Sequence, residues 1–330
     1  QYPEIIGTKS LKKHLLAPHM TKDIDILCAG ETLIDFIGTQ TEAPLSETKD
    51  YHRYLGGSPT NVAMNMARLG ASVEMVATVG DDGFGQYIVG RLEEAGVGQR
   101  HLKTCKHLPS TTIFINQTEH TPEFIAYRGA DAEITEDQFP DKLLERVKIF
   151  HTTCFALSRQ PARDTIVKKA KKASELGALL SIDVNFSEKI WPDKKGAQDT
   201  LAEYCKYGAL VKISQDDVDR LLGPGISHEA VFSYLHGLGA SKICFTLGKD
   251  GAKLSQMGAT VLEVSAFEVE KIMDATGAGD AFWSGFLFAY LKDKSPQKCL
   301  ESALKMAAIK LQNVGRIPDY AHVIADIMNQ

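Results

Sequence analysis

Short apolar runs alternate with amphipathic segments along most of the chain. Segments with helical patterning follow several of these runs and commonly end at a glycine, as at 62–69, 84–95 and 161–176. Strands that alternate with helices predict a mostly parallel sheet with helices on both faces. The predicted strands cover residues 24–29, 31–37, 72–79, 147–150, 178–184, 208–213, 242–247, 252–256 and 260–264.

Two other segments have a different pattern, because strand-like alternation occurs there without a crossover helix. Residues 111–116 and 123–128 alternate as a hairpin does, and 39–55 is polar and fits edge strands over a cleft. We therefore expect a small sheet made from lid segments at about 39–55 and 111–128. One face of so small a sheet needs cover, which predicts a homodimer formed through this lid.

Composition narrows the class of protein. The chain has 330 residues, of which 44% are hydrophobic and 24% charged, enough for one large α/β domain or two smaller ones. A net charge of -5 makes nucleic acid an unexpected partner, and the sequence has no apolar run of membrane-spanning length. Six scattered cysteines indicate reduced thiols and a cytoplasmic location. Residues 1–19 lack the strand and helix pattern of the rest of the chain, so we treat them as an extension and expect one domain over 20–330.

A glycine-rich stretch at 274–280 precedes a long apolar helix. The unpaired N–H groups of a helix start attract anions, and small residues let a phosphate approach them. Asp280 would repel such an anion unless it serves as the base that takes a proton from an attacking hydroxyl. A plain helix start with an acidic first turn has the same pattern.

A second turn, at residues 56–61, joins two glycines to Pro59, which suits a first helical turn. Asn61 is then either a local cap or a polar group aimed at a small ligand. Several polar residues and one glycine lie at the ends of predicted strands or in the turns just after them, where α/β proteins bind ligands. They are Asp183, Asn185, Ser214, Gly248 and Asp280. The chain has neither a P-loop motif nor a glycine-rich dinucleotide turn after its first strand.

The two glycine-rich stretches together resemble the two signatures of the ribokinase (pfkB) family of carbohydrate kinases. The resemblance runs from about residue 24 to 318 and implies a Rossmann-like, three-layer α/β/α fold with a small β-sheet lid. It implies an ATP-dependent sugar kinase that uses Mg²⁺, with sugar and ATP as small-molecule partners and a monovalent cation such as K⁺ near Asp274.

The resemblance also implies roles for individual residues. Asp280 corresponds to the catalytic base, and the N–H groups of Gly277, Ala278 and Gly279 correspond to the anion hole. The sugar-binding positions are Asp35, Gly56, Gly57, Asn61 and Arg128. The ATP-binding positions are Asn185, Ser214, Thr246, Gly248, Gly251 and Asn313, with the adenine also flanked near Gly315. Asp217 stands where the family has a glutamate that organises Mg²⁺.

The opening 30–36, Gly-Glu-Thr-Leu-Ile-Asp-Phe, is similar to that of fructokinases, which predicts fructose as the acceptor. Kinases of 2-keto-3-deoxygluconate share much of this pattern. Both groups commonly have an arginine where this chain has Ser187, and a sugar acid needs a cation for its carboxylate. Lys189 and Arg128 are the remaining candidates for that cation. A non-catalytic sugar-binding regulator is a further alternative, but such a protein has no need of Asp280.

Overall fold

The computed structural model describes residues 22–118, 123–314 and 317–329, so the predictions about residues 1–19 and Gly315 lie outside the described residues. The strands are β1 (Ile24–Ala29), β2 (Leu33–Thr41), β3 (Tyr51–Gly56), β4 (Val73–Gly80), β5 (Gly98–Cys105), β6 (Thr112–Gln117), β7 (Phe124–Tyr127), β8 (Val147–Thr153), β9 (Leu179–Asp183), β10 (Leu210–Ser214), β11 (Lys242–Thr246), β12 (Ala252–Gln256) and β13 (Leu262–Val264). The α-helices are α1 (Ser58–Arg68), α2 (Gly83–Glu94), α3 (Asp141–Leu144), α4 (Ala162–Glu175), α5 (Lys194–Cys205), α6 (Gln215–Leu221), α7 (His228–Gly237), α8 (Ala278–Leu291), α9 (Pro296–Leu311) and α10 (Tyr320–Met328). Short 3₁₀ turns occur at Ala130–Ala132, Glu136–Gln138, Ala156–Ser158 and Gly248–Asp250.

The large sheet has nine strands in the order β13-β12-β11-β10-β9-β8-β1-β4-β5. The strands from β11 to β5 run parallel, whereas β12 is antiparallel to both of its neighbours. Two separate clusters of buried apolar side chains cover its two faces. The predicted three-layer α/β/α fold is confirmed.

Helix α8 lies in one of these two cores. Every residue from Asp280 to Ala289 is buried, because α1 and α9 pack against the helix. A helix that is apolar on all sides needs such cover on all sides. Packing therefore fixes α8 firmly and with it the glycine-rich turn at its N-terminus.

A second sheet has the order β3-β2-β6-β7. Strand β2 is antiparallel to β3 and parallel to β6, which pairs with β7 as the predicted hairpin. Its inner face places Leu33 and Ile113 against Phe155 of the large domain. The strand that carries Asp35 is part of this small sheet, whereas much of segment 39–55 is the β2–β3 connection.

Several elements differ from what the sequence pattern predicts. Strand β5 was missed because it mixes polar and apolar residues in sequence, as an edge strand of the large sheet can. Helices α5, α7 and α10 were missed as well. All six cysteines are free thiols. Within the three described ranges, no helix is long and apolar enough to cross a membrane.

Candidate active site

The carboxylate of Asp280 lies in the first turn of α8 and is only 8% exposed. The Ser58 hydroxyl donates a hydrogen bond of 2.6 Å to its Oδ1, and the Asn61 amide donates one of 2.8 Å to its Oδ2. Both donors come from the first turn of α1, more than 200 residues earlier in the chain. The two predicted glycine-rich stretches thus meet at this carboxylate, whose remaining lone pairs are available to accept a proton.

A buried glutamate holds the turn that enters α1. Glu31 accepts the Ser58 N–H at 3.1 Å and the Thr153 hydroxyl at 2.9 Å, and its backbone carbonyl accepts the Thr60 hydroxyl at 3.0 Å. Burial raises the pKa of Glu31 to about 8. Gly57 has φ 99°, and a Cβ there would lie 2.5 Å from the Glu31 carbonyl oxygen. The close approach and the positive φ both require glycine at position 57.

Asp35 reaches the same region from the small sheet. It lies against Gly56, where an added Cβ would be 2.0 Å from the Asp35 Oδ2. Burial, with Asp280 and Asp274 nearby, raises the pKa of Asp35 to about 7. Asp35, Asn61 and Gly277 line one cavity of about 310 Å³, a volume within the range of small-molecule sites.

The glycine-rich turn presents only part of the set of free N–H groups that the sequence predicts. Gly277 is left-handed at φ 75° and precedes the first residue of α8. The Ala278 N–H donates to the Ala275 carbonyl at 3.2 Å, so this N–H already has an acceptor, unlike the free anion-hole donor predicted from the sequence. The N–H groups of Gly279 and Asp280 follow in the first helical turn, where N–H groups have no intrahelical acceptor.

Lys212 is a site residue that the sequence reasoning missed. Its Nζ would lie 3.0 Å from a Cβ on Gly279, and it makes contacts of 2.8 and 3.0 Å with the two oxygens of Asp183. Burial by itself lowers the pKa of Lys212, but the carboxylates of Asp183, Asp217 and Asp280 together raise it above its ordinary value, so the ammonium stays charged. A lysine within the apolar run of β10 was the available signal.

Arg128 does not line the cavity that Asp35 and Asn61 share. Its Nε and Nη2 donate to the Asp131 carboxylate, at 3.0 Å for Nε, and its Nη1 donates to the Ser158 hydroxyl. The guanidinium stacks 4.3 Å from the centre of the Phe155 ring, and its side chain is 2% exposed. This arginine therefore belongs to a buried ion pair beneath the small sheet.

Most of the predicted ATP-binding residues lie at the carboxyl ends of neighbouring strands or in the turns that follow them. Thr246 ends β11, and Gly248 and Gly251 form the turn into β12, where a Cβ on Gly251 would come 2.1 Å from the Val264 carbonyl oxygen. Asn185 follows β9 with φ 31° and is exposed. The Asn313 amide donates to the Ile309 carbonyl at 2.8 Å at the end of α9.

Asp217 was predicted as a metal position, but it caps a helix. Its carboxylate accepts the N–H of Phe186 at 2.8 Å, and the N–H and hydroxyl of Ser214 at 2.9 and 2.6 Å. No group of three metal-ligating side chains occurs among the residues that the structure describes. These contacts occupy the Asp217 carboxylate and do not fit a metal ligand there. Mg²⁺ commonly binds through substrate phosphates and water.

Comparisons with known proteins place this site in a family. Residues 23–321 match the pfkB family carbohydrate kinase description. An ATP-dependent 6-phosphofructokinase from Thermoanaerobacterium thermosaccharolyticum is 32% identical over 298 residues, covering 90% of this chain and 91% of the relative.

Two solved structures are also similar. A fructokinase from Halothermothrix orenii has a TM-score of 0.75 and 31% identity, covering 86% of this chain and 98% of its own. An uncharacterized sugar kinase from Pyrococcus horikoshii in complex with ATP has a TM-score of 0.81 and 28% identity, covering 92% and 100%. The family match covers most of the chain, and the fold is ribokinase-like. The Asp280 carboxylate also lies at a glycine-rich helix start, as the family signature requires. The chain belongs to the pfkB family of carbohydrate kinases and is a sugar kinase.

Proposed function

We propose that this protein is an ATP-dependent fructokinase that converts D-fructose to D-fructose 6-phosphate. The observation that carries the proposal is that Asp35, Asn61 and Gly277 line one cavity at the N-terminus of α8, where the Asn61 amide also donates to Asp280. A neutral sugar presents only hydroxyl groups, and a carboxylate and an amide can orient them. ATP-bound relatives support ATP as the phosphoryl donor.

Asp280 is the proposed base. The sugar hydroxyl gives its proton to the Asp280 carboxylate while its oxygen forms a bond to the γ-phosphorus, and the bond from that phosphorus to the bridging oxygen breaks to release ADP. Ser58 and Asn61 hold the carboxylate in place before the sugar binds. The N–H groups of the first turn of α8 and the Lys212 ammonium supply positive charge on the phosphate side of Asp280.

The charges around the site favour a neutral sugar over 2-keto-3-deoxygluconate. Arg128 is engaged by Asp131, and the Lys189 ammonium lies 5.2 Å from the centre of the Phe124 ring. Ser187 cannot supply the fork of donors that an arginine offers to a carboxylate. Neither of these two expected cations is therefore free to pair with the carboxylate of a sugar acid, whose charge would lie close to Asp35 and Asp280.

Fructose 6-phosphate is a second candidate acceptor. Arg68 and Arg91 line the same cavity as Asp35 and Asn61, and Lys310 lies at its wall. Arginine is well suited to phosphate. The Thermoanaerobacterium relative is named a 6-phosphofructokinase, which is the second reason to test this acceptor.

The experiment is a coupled assay of ADP release with fructose, fructose 6-phosphate and 2-keto-3-deoxygluconate under one set of conditions. The ratio of kcat/KM values measures discrimination between acceptors. We expect the highest value for fructose. A higher value for either anionic acceptor would overturn the fructokinase assignment, and Arg68→Ala and Arg91→Ala would then test whether the basic wall binds the extra charge.

The small sheet is the proposed dimer contact. The face opposite Leu33 and Ile113 stacks Phe36 on Phe114, with ring centres 4.9 Å apart, and packs Phe36 against Phe84 of α2. On this face Ile125 is 46% and Tyr127 61% exposed. Burial of such residues would stabilise an association. Light scattering should give the mass of a dimer, and Ile125→Lys should shift it toward the monomer; a monomer at all concentrations would refute this contact.

A further inference from the structure

Lys310 is a buried lysine in the last turn of α9, with 6% of its surface exposed. Its Nζ contacts three oxygens, namely Asp274 Oδ2 at 2.9 Å, the Asn313 carbonyl at 3.1 Å and the Asp274 carbonyl at 3.5 Å. Carboxylate and carbonyl oxygens are also the groups that replace the water shell of K⁺ in proteins. The ammonium therefore has the surroundings of a bound monovalent cation.

These surroundings do not fit the K⁺ site expected near Asp274. The Asp274 carboxylate has one oxygen on the Lys310 ammonium, and its other oxygen accepts the Thr276 N–H at 2.9 Å. A metal cation on the same oxygens would lie next to a second unit charge, which repels it strongly in a buried place. The Lys310 ammonium therefore occupies the oxygens that a K⁺ ion at Asp274 would need.

The ammonium lies where it can fix the catalytic turn. The N–H groups of Met273 and Asp274 donate to the Leu311 carbonyl at 2.8 and 3.3 Å, so the end of α9 holds this segment through the Leu311 backbone and through the Lys310 side chain. The Lys310 Cε would be 3.8 Å from a Cβ on Gly277. The chain thus passes from the Lys310 contacts directly into the glycine-rich turn that carries Asp280.

We propose that Lys310 is a built-in monovalent cation that positions the 274–279 turn and makes the kinase independent of K⁺. The ammonium has the charge of K⁺, but it is tethered to α9, so no ion has to be captured from solution. Although Lys310 borders the acceptor cavity, its Nζ is held by Asp274 and Asn313, so we assign it as a positioning residue. The proposal rests on the sugar kinase activity of the family and not on which sugar is the acceptor.

The first test uses the unaltered protein. Turnover is measured in KCl, NaCl and choline chloride at equal ionic strength and fixed Mg²⁺, with the best acceptor from the substrate comparison. We expect the same turnover in all three salts. A clear activation by KCl over choline chloride would overturn the proposal without the use of any variant.

The second test compares Lys310→Met with Lys305→Met. Lys305 is the matched control, because it is on the same helix and pairs with Asp326 away from the turn. In choline chloride, Lys310→Met should lose about ten-fold or more in turnover, because small displacements of catalytic groups are costly. KCl should restore much of this loss, and Lys305→Met should behave as the unaltered protein does.

Thermal unfolding without substrates gives a readout that needs no activity. KCl should raise the unfolding midpoint of Lys310→Met relative to choline chloride and leave the midpoints of the other two proteins unchanged. If Lys310→Met folds and KCl changes neither its midpoint nor its turnover, Lys310 is an ordinary ion pair and the proposal fails. If the variant does not fold, the salt dependence of the unaltered protein decides.

Discussion

The close contact between Gly56 and Asp35 allows the sugar-binding role of Asp35 to be tested without removing it. In Gly56→Ala, the new Cβ would lie 2.0 Å from Oδ2 and 2.5 Å from Cγ of Asp35. Real side chains do not approach so closely, so the carboxylate must move away from its position at the cavity. Gly56 ends strand β3 and has no positive φ that would itself strain an alanine.

The expected rise in the KM for the sugar follows from the loss of the Asp35 carboxylate as an oriented hydrogen-bond acceptor. A buried polar partner that is left unpaired costs about 1–3 kcal/mol, and a tenfold change corresponds to about 1.4 kcal/mol. We therefore expect the KM for the sugar to rise by about 5-fold to 140-fold. The KM for ATP should change little, because Asp35 lies on the small sheet and the predicted nucleotide turn lies between β11 and β12.

The assay is steady-state kinetics in which the sugar and ATP are varied separately. Gly90→Ala is the matched control, because a Cβ at this helical position meets nothing within 4 Å. The double variant with Asp35→Ala completes the test, since two changes that act through one carboxylate are not additive. An unchanged sugar KM in Gly56→Ala, or fully additive effects in the double variant, would refute this reasoning.

Three other predictions concern the charges of the site. Asp280→Asn should lower kcat by about 10²-fold or more, as expected when a general base is lost, while the affinity for sugar measured by calorimetry stays close to normal. The pKa of Asp35 is raised to about 7, so this carboxyl is neutral below pH 7 and charged above it. The kcat/KM for the sugar should therefore rise through this pH in the unaltered protein, and Asp35→Asn should abolish that rise. Lys212→Met leaves the buried Asp183 without its cation and should lower the free energy of unfolding by about 3–5 kcal/mol, which urea denaturation measures; an unchanged stability would mean that the pair contributes nothing.

The sequence predicted the parts of the site that depend on local chain geometry. Gly56, Gly57 and Gly277 identify turns, and the order of strands and helices places Asp183, Asn185 and Ser214 at one edge of a parallel sheet. A glycine can be read from the sequence without knowledge of distant contacts, because it is required where the backbone has a positive φ or where another atom lies too close for a Cβ. The convergence of the two glycine-rich stretches followed from the resemblance to the family.

The remaining contacts could not be predicted in this way. The Ser58 hydroxyl meets Asp280 across 222 positions of sequence, and the Lys310 ammonium meets Asp274 across 36. Which polar side chain fills a buried gap depends on how whole elements pack, and that information is not local. Lys212 was different, because a lysine inside an apolar strand already signals a buried partner.

The placement of the two site carboxylates on separate bodies has a consequence for acceptor length. Asp280 is anchored by α1 to the large domain, whereas Asp35 belongs to β2 of the small sheet. If these two carboxylates hold opposite parts of the acceptor, the distance between the two sheets selects the length of the acceptor. A three-carbon polyol could engage one carboxylate at a time, and a sugar of hexose length could bridge both. Selection by length would then depend on how the small sheet docks, so changes at Leu33, Ile113 or Phe155 could alter the accepted chain length while leaving every polar group in place.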